Sequence, residues 1–363
     1  MKPRVIAYYL PQYHPFPEND EWWGKGFTEW TNVVRASKLF PGHVQPHVPA
    51  DLGFYDLRLP EIREEQARLA REAGIEGFCY YEYWFGNGRQ LMQRPFEEVV
   101  ASGKPDFPFC LAWANHSWYK KLWDPKNPGK DKLLIEQLYP GEADYEAHFM
   151  HLLPAFRDHR YIRVNGKPFY IVYDALHFQD VSTFIKTWRR LAKENGLDDF
   201  YFVATDFNSE HRDEILGMGF DAIHNVDQLN IYHQASNIRK AFQTIAGKYL
   251  RIPKIYKYKK AIKYMINDDC RQRNVFPVIV PNWDHTPRSG ARGLVMTDAH
   301  PKYFKQLVAM AFDMVKDKPA EEQIVILKSW NEWGEGNYME PDLQYGHGYI
   351  NALHEAIEEV TKC

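Results

Sequence analysis

Two glutamates three residues apart, Glu332 and Glu335, stand in the run Ser329-Trp330-Asn331-Glu332-Trp333-Gly334-Glu335-Gly336, directly after the apolar stretch 324–327. Paired carboxyls can cut a glycosidic bond: one protonates the leaving oxygen while the other acts as base or nucleophile. The indoles of Trp330 and Trp333 offer flat faces for the C–H surface of a sugar, and the Asn331 amide offers hydrogen bonds to its hydroxyls. A bare Glu-x-x-Glu most often marks a solvated helix face. Here Gly334 and Gly336 argue against a helix, Pro341 follows soon after, and the preceding run has the composition of a strand buried on both faces. The octet therefore reads as a carbohydrate-handling segment at the end of a buried strand.

The elements that must hold such a segment follow from the alternation of short apolar runs with amphipathic stretches. Strands are expected at 5–10, 77–81, 109–113, 169–173, 200–205, 222–225, 277–281 and 324–329. Helices are expected at 59–73, 92–102, 144–156, 181–195, 210–217, 236–247, 300–316 and 349–362. Eight strand-then-helix units predict a parallel (β/α)8 TIM barrel. A doubly wound open sheet would share the alternation, but no Gly-x-Gly-x-x-Gly follows the first strand and no phosphate-binding P-loop occurs. Without repeats or a low-complexity linker, residues 1–363 read as a single catalytic barrel.

In such a barrel, chemistry collects where the strands end. Gln12, Tyr13 and His14 follow the first strand, Tyr81, Glu82, Tyr83 and Trp84 lie at the end of the second, and Trp113, Asn115, His116 and Trp118 lie at the end of the third. Asp174 ends the fourth, Asp206 the fifth, Asn225 and Asp227 the sixth, and Asn282, Trp283 and Asp284 the seventh. The stacking platforms expected from this ring are Trp84, Trp113, Trp330 and Trp333. Asn115, Asp174, Asp284 and Asn331 are expected to bond hydroxyls, with Gln12, His14, Trp30, Tyr81, Tyr83 and Trp283 as further sugar contacts. Any one of these could equally be a loop residue that caps a helix or binds backbone. The repetition around the ring is what points to a pocket.

Composition fits an enzyme with a large core: 45% of residues are hydrophobic and 26% charged. The net charge of −3 gives no global case for nucleic acid as a partner, leaving an oligosaccharide or polysaccharide as the expected one. An aromatic share of 15%, with 11 Trp and 23 Tyr, suits either a sugar cleft or a tyrosine-rich core. Cys79, Cys110, Cys270 and Cys363 read as buried free thiols. The first ten residues are too few and too poor in small side chains for a signal peptide, and no run reaches membrane-spanning length. The expected location is cytoplasmic, or extracytoplasmic if a leader preceded this chain.

No metal or other cofactor is expected. His43 and His47 have the spacing of helical metal ligands, but Pro46 between them breaks the helix that would align them. His148 and His151 lie on an amphipathic stretch and are expected at the surface. His14 and His116 are better placed to meet sugar hydroxyls. A basic stretch at 248–263, with Lys and Arg interleaved by three tyrosines, could meet anionic lipid, an acidic polysaccharide or a phosphate-bearing carrier; the plainer expectation is a solvated excursion between the sixth and seventh strands.

Several runs carry a family resemblance: Ala7-Tyr8-Tyr9-Leu10-Pro11-Gln12-Tyr13-His14, Gly26-Phe27-Thr28-Glu29-Trp30-Thr31-Asn32-Val33, Gly42-His43-Val44-Gln45-Pro46 and Leu52-Gly53-Phe54-Tyr55-Asp56-Leu57-Arg58. With Gly77-Phe78-Cys79-Tyr80-Tyr81, Trp113-Ala114-Asn115 and the 330–336 motif, they resemble the WbsX-type domain, a glycoside hydrolase family 99-like group, over nearly the whole chain. The resemblance implies a (β/α)8 barrel related to retaining endo-mannosidases. By motif position it gives Glu332 the role of base on the substrate's own 2-hydroxyl, forming a 1,2-anhydro sugar, and gives Glu335 that of acid on the leaving oxygen. The residues themselves equally allow an ordinary nucleophile-plus-acid route. WbsX-type domains are associated with surface-polysaccharide and O-antigen assembly, and the name also carries a glycosyltransferase label. Against a transferase, no Asp-x-Asp metal-diphosphate clamp occurs in the sequence. A non-catalytic sugar-binding barrel is a third reading.

Overall fold

The computed structural model describes residues 2–120, 131–207 and 209–362. Its centre is a parallel barrel built from β1 (Arg4–Tyr9), β2 (Gly77–Glu82), β3 (Phe109–Trp113), β4 (Lys167–Val172), β5 (Tyr201–Phe207), β6 (Ala222–Val226), β7 (Val275–Phe276), β8 (Val278–Ile279) and β9 (Ile324–Leu327). From β6 back to β1 each strand pairs with its predecessor, and β1 pairs with β9 in register, Arg4 opposite Ile324 and Ala7 opposite Leu327. These strands are almost continuously apolar because one face fills the barrel and the other meets the helices, so neither reaches water.

The seventh strand differs from expectation. The run expected at 277–281 is instead two short pieces on either side of Pro277: β7 pairs with β6, and β8 pairs with β9. Proline has no N–H to give a ladder, so pairing with β6 stops there, while its carbonyl accepts from the Ile326 N–H at 3.0 Å. The ladder is interrupted at this one point, and the barrel is nearly closed.

The outer layer holds the helices Pro60–Ala73, Arg94–Ser102, Glu142–Arg157, Val181–Glu194, Arg212–Gly217, Pro301–Val315 and Gly348–Lys362. Three of these start with Pro in the first turn, where the missing N–H costs nothing. The expected surface position of His148 is corrected. Its helix turns it toward the barrel, where it is fully buried, stacks on Trp84 at 4.6 Å and pairs with Glu82 at 2.9 Å. Much of the aromatic surplus is likewise core: Trp113, Trp188, Trp330 and Trp333 are among the largest fully buried side chains. Cys79, Cys110 and Cys270 are buried free thiols, and Cys363 lies outside the described residues. Among the described residues, no helix is long and apolar enough to cross a membrane.

Candidate active site

Beyond β9 the octet folds as a tight hairpin. Asn331–Glu332 pairs antiparallel with Asn337–Tyr338 around a single 3-10 turn, Trp333–Glu335, and Gly336 takes a left-handed φ of 56°. Gly334 is required by close approach, since a Cβ there would fall 1.7 Å from Glu29 Oε1. The first long loop fastens the hairpin from behind. The Tyr13 hydroxyl donates to the Asn331 carbonyl at 2.6 Å and accepts from the Trp333 N–H at 3.0 Å. The Asn331 amide grips the backbone of Leu10, accepting from its N–H at 2.8 Å and donating to its carbonyl at 3.0 Å.

Glu332 and Glu335 thereby face a cleft of about 670 Å³ at the C-terminal end of the barrel. Every strand end contributes to its wall, including Gln12, Tyr81, Tyr83, His116, Tyr173, Phe207, Trp283 and Lys328. Such a position is where barrel enzymes keep their chemistry. At its floor one guanidinium organises three carboxylates. Arg288 Nη1 donates to Glu332 Oε1 at 2.9 Å and to Glu335 Oε1 at 2.7 Å, while its Nε donates to Glu29 Oε1 at 2.8 Å. His285 Nε2 stands 3.3 Å from the same Glu335 oxygen. The Lys328 ammonium, next along the chain from β9, is buried 6.0 Å over the ring of Tyr8.

These charges split the proton affinities of the two carboxyls. Burial and then the neighbouring charge of Glu335 push Glu332 up, against the pull of Arg288 and Lys328. Glu335 is also penalised by burial, yet the Arg288 charge, the His285 contact and Lys328 together hold it well below the usual carboxylate range. The two carboxyls thus differ in proton affinity, Glu332 having the higher and Glu335 the lower.

Of the residues expected from sequence, Gln12, Tyr81, Tyr83, His116, Trp118, Trp283, Glu332 and Glu335 line this cleft. The others do not, and each has a structural occupation. Trp330 and Trp333 have no exposed face; Trp333 stacks on Tyr338 at 3.7 Å and donates to Glu340 at 2.6 Å. Trp30 packs behind Trp333 and donates to the Tyr55 carbonyl, Trp113 donates to the Trp84 carbonyl, and Trp84 donates to Asp144. Asn331 is spent on Leu10. Asn115 makes the same grip on Asp174, accepting from its N–H and donating to its carbonyl, both at 2.7 Å. The Asp174 carboxylate turns to His177, and His14 Nδ1 binds the Pro11 carbonyl in a separate small cleft. Asp284 is buried among His43, Gln45 and Thr286, where it anchors the loop that carries Arg288. Burial pushes its carboxyl up, but those bonds win and hold it low.

His43 is thus paired with Asp284, and His47 Nδ1 lies 2.9 Å from the Tyr338 hydroxyl. Among the described residues, no three His, Cys, Asp or Glu side chains form a group able to hold a metal ion. Sequence reasoning missed Arg288, Lys328, Tyr173 and His285. Only Lys328 had a usable signal, as a lone cation continuing an otherwise apolar strand run.

The architecture is that of a (β/α)8 barrel as found in glycoside hydrolase family 99. The GH99 endo-alpha-mannosidase of Bacteroides thetaiotaomicron, in complex with bis-tris propane, superposes with a TM-score of 0.60 at 15% identity, covering 99% of this chain and 98% of that one. A glycoside hydrolase-like protein gives 0.60 at 16% identity, over 98% of this chain and 94% of the other. By sequence the chain belongs to the family described as glycosyltransferase WbsX, whose model matches residues 5–353. The uncharacterized protein WxcX of Xanthomonas campestris pv. campestris (strain B100) is 34% identical over 97% of this chain and 49% of its own length. The same holds for WxcX of strain ATCC 33913. The chain spans about half the length of these curated relatives.

Proposed function

We propose that this chain is a glycoside-cleaving enzyme that retains anomeric configuration, with Glu332 and Glu335 as its two carboxyl groups and a bacterial surface polysaccharide or O-antigen-type glycan as substrate. The carrying observation is the single Arg288 nitrogen that binds both carboxylates. Its bonds of 2.9 and 2.7 Å leave their Oε1 atoms no more than about 5.6 Å apart, which is compatible with the roughly 5–5.5 Å of retaining glycosidases and short of the wider gap that inverting ones need for a water. The unequal proton affinities support a division into acid and base. Tyr81, Tyr83, Trp283 and Gln12 on the walls supply stacking and hydrogen-bonding surface for sugar rings.

The roles implied by the resemblance make Glu335 the acid and Glu332 the base at the 2-hydroxyl. Glu335 has the lower proton affinity of the two, so under that order sugar binding must weaken the hold of Arg288 on Glu335, because a guanidinium beside a carboxyl disfavours the protonated form that an acid needs. Substrates with an activated aryl leaving group separate the two orders. They need little acid help and stay active in whichever Gln variant has lost the acid.

The first test is to incubate the protein with bacterial surface polysaccharides and α-mannosides, without nucleotide sugar, and to follow released oligosaccharides by mass spectrometry. Glu332→Gln and Glu335→Gln should each lower release by about a thousandfold or more with unchanged melting. A second reading, glycosyl transfer, is favoured by the family's name and by Arg288, Arg292, Lys254 and Lys328 along the cleft, which suit a diphosphate leaving group. No release from the panel, with sugar transfer once nucleotide sugars are supplied, would replace the hydrolase reading by that one.

A further inference from the structure

Between β6 and β7 the chain leaves the barrel for an excursion whose charge is unlike the rest of the molecule. No Asp or Glu occurs between Asp227 and Asp268, whereas nine Lys and Arg do, in a protein of net charge −3. Within it, the helix Asn237–Ile245 continues through a π turn, Ala246–Leu250. An ordinary surface helix turns its apolar stripe inward. This one is reversed, and its regular helical part buries no residue at all.

Its polar side faces the protein. Arg239 lies 4.3 Å over the ring of Tyr256 and donates to the Ile255 carbonyl, Gln243 accepts from the Tyr256 hydroxyl, and Lys240 donates to the His233 carbonyl. Its apolar side faces outward. Ile238, Phe242, Ile245 and Tyr249, spaced to share one helical face, are 84%, 69%, 57% and 70% exposed, and the adjoining Leu250 is 66% exposed. A contiguous row of large apolar side chains in water marks a surface meant to be covered. Lys248 and Arg251 bracket its end, and Lys257, Lys259, Lys260 and Lys263 are exposed further along the same excursion.

We propose that this helix is an interfacial anchor that lays Ile238, Phe242, Ile245, Tyr249 and Leu250 into the surface of an anionic phospholipid bilayer, with the surrounding lysines and arginines on the headgroups. The charge decides among occupants: an apolar row set in a segment with nine cations and no carboxylate complements a negative lipid surface, whereas a second copy would bring the same positive charge against itself. The inference does not depend on the chemistry proposed for the cleft. It does bear on where the cleft lies, because Leu229, Tyr232, His233 and Lys254 of the same excursion form one of its walls. A helix docked in this way holds the mouth of the cleft beside the lipid headgroups.

The test is co-sedimentation of the full chain with vesicles of phosphatidylcholine alone and of phosphatidylcholine mixed with phosphatidylglycerol. Binding is expected to the mixed vesicles only and to weaken with added salt. It should fall by about tenfold or more in the pair Phe242→Glu with Ile245→Glu and in the pair Lys248→Glu with Arg251→Glu. These side chains are already in solvent, so both variants should melt as the parent does, which separates lost docking from lost folding. Failure to sediment with either vesicle overturns the proposal, as does unchanged binding in the Phe242 and Ile245 variant. A vesicle-indifferent dimer by analytical ultracentrifugation, made monomeric by that variant, assigns the face to a second copy instead.

Discussion

Arg288 is the side chain on which the electrostatics of the candidate site turn, since among the described residues it alone touches Glu29, Glu332 and Glu335 together. Replacing it with Gln removes the positive charge that holds both catalytic candidates down. Both carboxyls should then titrate higher, and the pH profile of kcat/KM should shift toward alkaline pH, with a rate loss of about tenfold or more. A profile that stays in place in Arg288→Gln would mean that other groups set the proton affinities. The two glutamates were readable in the sequence because their spacing, the glycines and the apolar run before them agree. Arg288 was not, because one arginine in a loop has no spacing to mark it, and its role depends on a fold that brings residues 29, 288, 332 and 335 to one point. The tryptophans misled for the opposite reason: residue type alone suggests a stacking face, but only packing decides whether that face meets sugar or core.

Among the elements, the hairpin after β9 is the one that places the chemistry, and its constraints can be tested without touching a carboxyl. Gly334→Ala puts a methyl group into the space of the Glu29 carboxylate and so breaks the cradle around Arg288. Activity should fall by about a hundredfold or more while the barrel still folds cooperatively, as read by turnover beside circular dichroism. Asn331→Ala leaves the Leu10 N–H and carbonyl unpaired in a buried place, at a cost of about 2–3 kcal/mol in urea unfolding. A loss below about 0.5 kcal/mol would show that the grip on Leu10 is replaceable. The regular strands and helices were legible because each has a clear apolar period and a turn residue at its end. The break at Pro277 was missed because an apolar run does not reveal which neighbour each half of it pairs with. The reversed helix at 237–245 has a strong helical period too; what the sequence leaves open is which side faces out.

For the whole molecule, the barrel interior makes stability depend on pH through His224. Its Nε2 lies 2.7 Å from the Tyr8 hydroxyl and 3.0 Å from Thr205 Oγ1, linking β1, β5 and β6. Burial, helped by the nearby Lys328 charge, lowers it from 6.5 to about 3. Below pH 6.5 the unfolded chain takes up a proton there that the folded chain refuses until about pH 3. Its contribution to stability is therefore present above 6.5 and is lost on acidification through that window, by about 1.4 kcal/mol per pH unit. His224→Gln should flatten this part of the slope in urea titrations; an unchanged slope would place the acid sensitivity elsewhere. Glu340, pushed up to about 7 by burial, contributes with the opposite sign, so the difference between variant and parent isolates the histidine. The pairing of β1 with β9 has a further consequence for how the protein is made. On the ribosome, one edge of the first strand waits for residues 324–327, and both carboxyls arrive only after them. Until then the nascent chain carries an open, apolar sheet edge and an incomplete candidate site, so protection by chaperones is needed most in the interval before residues 324–327 emerge.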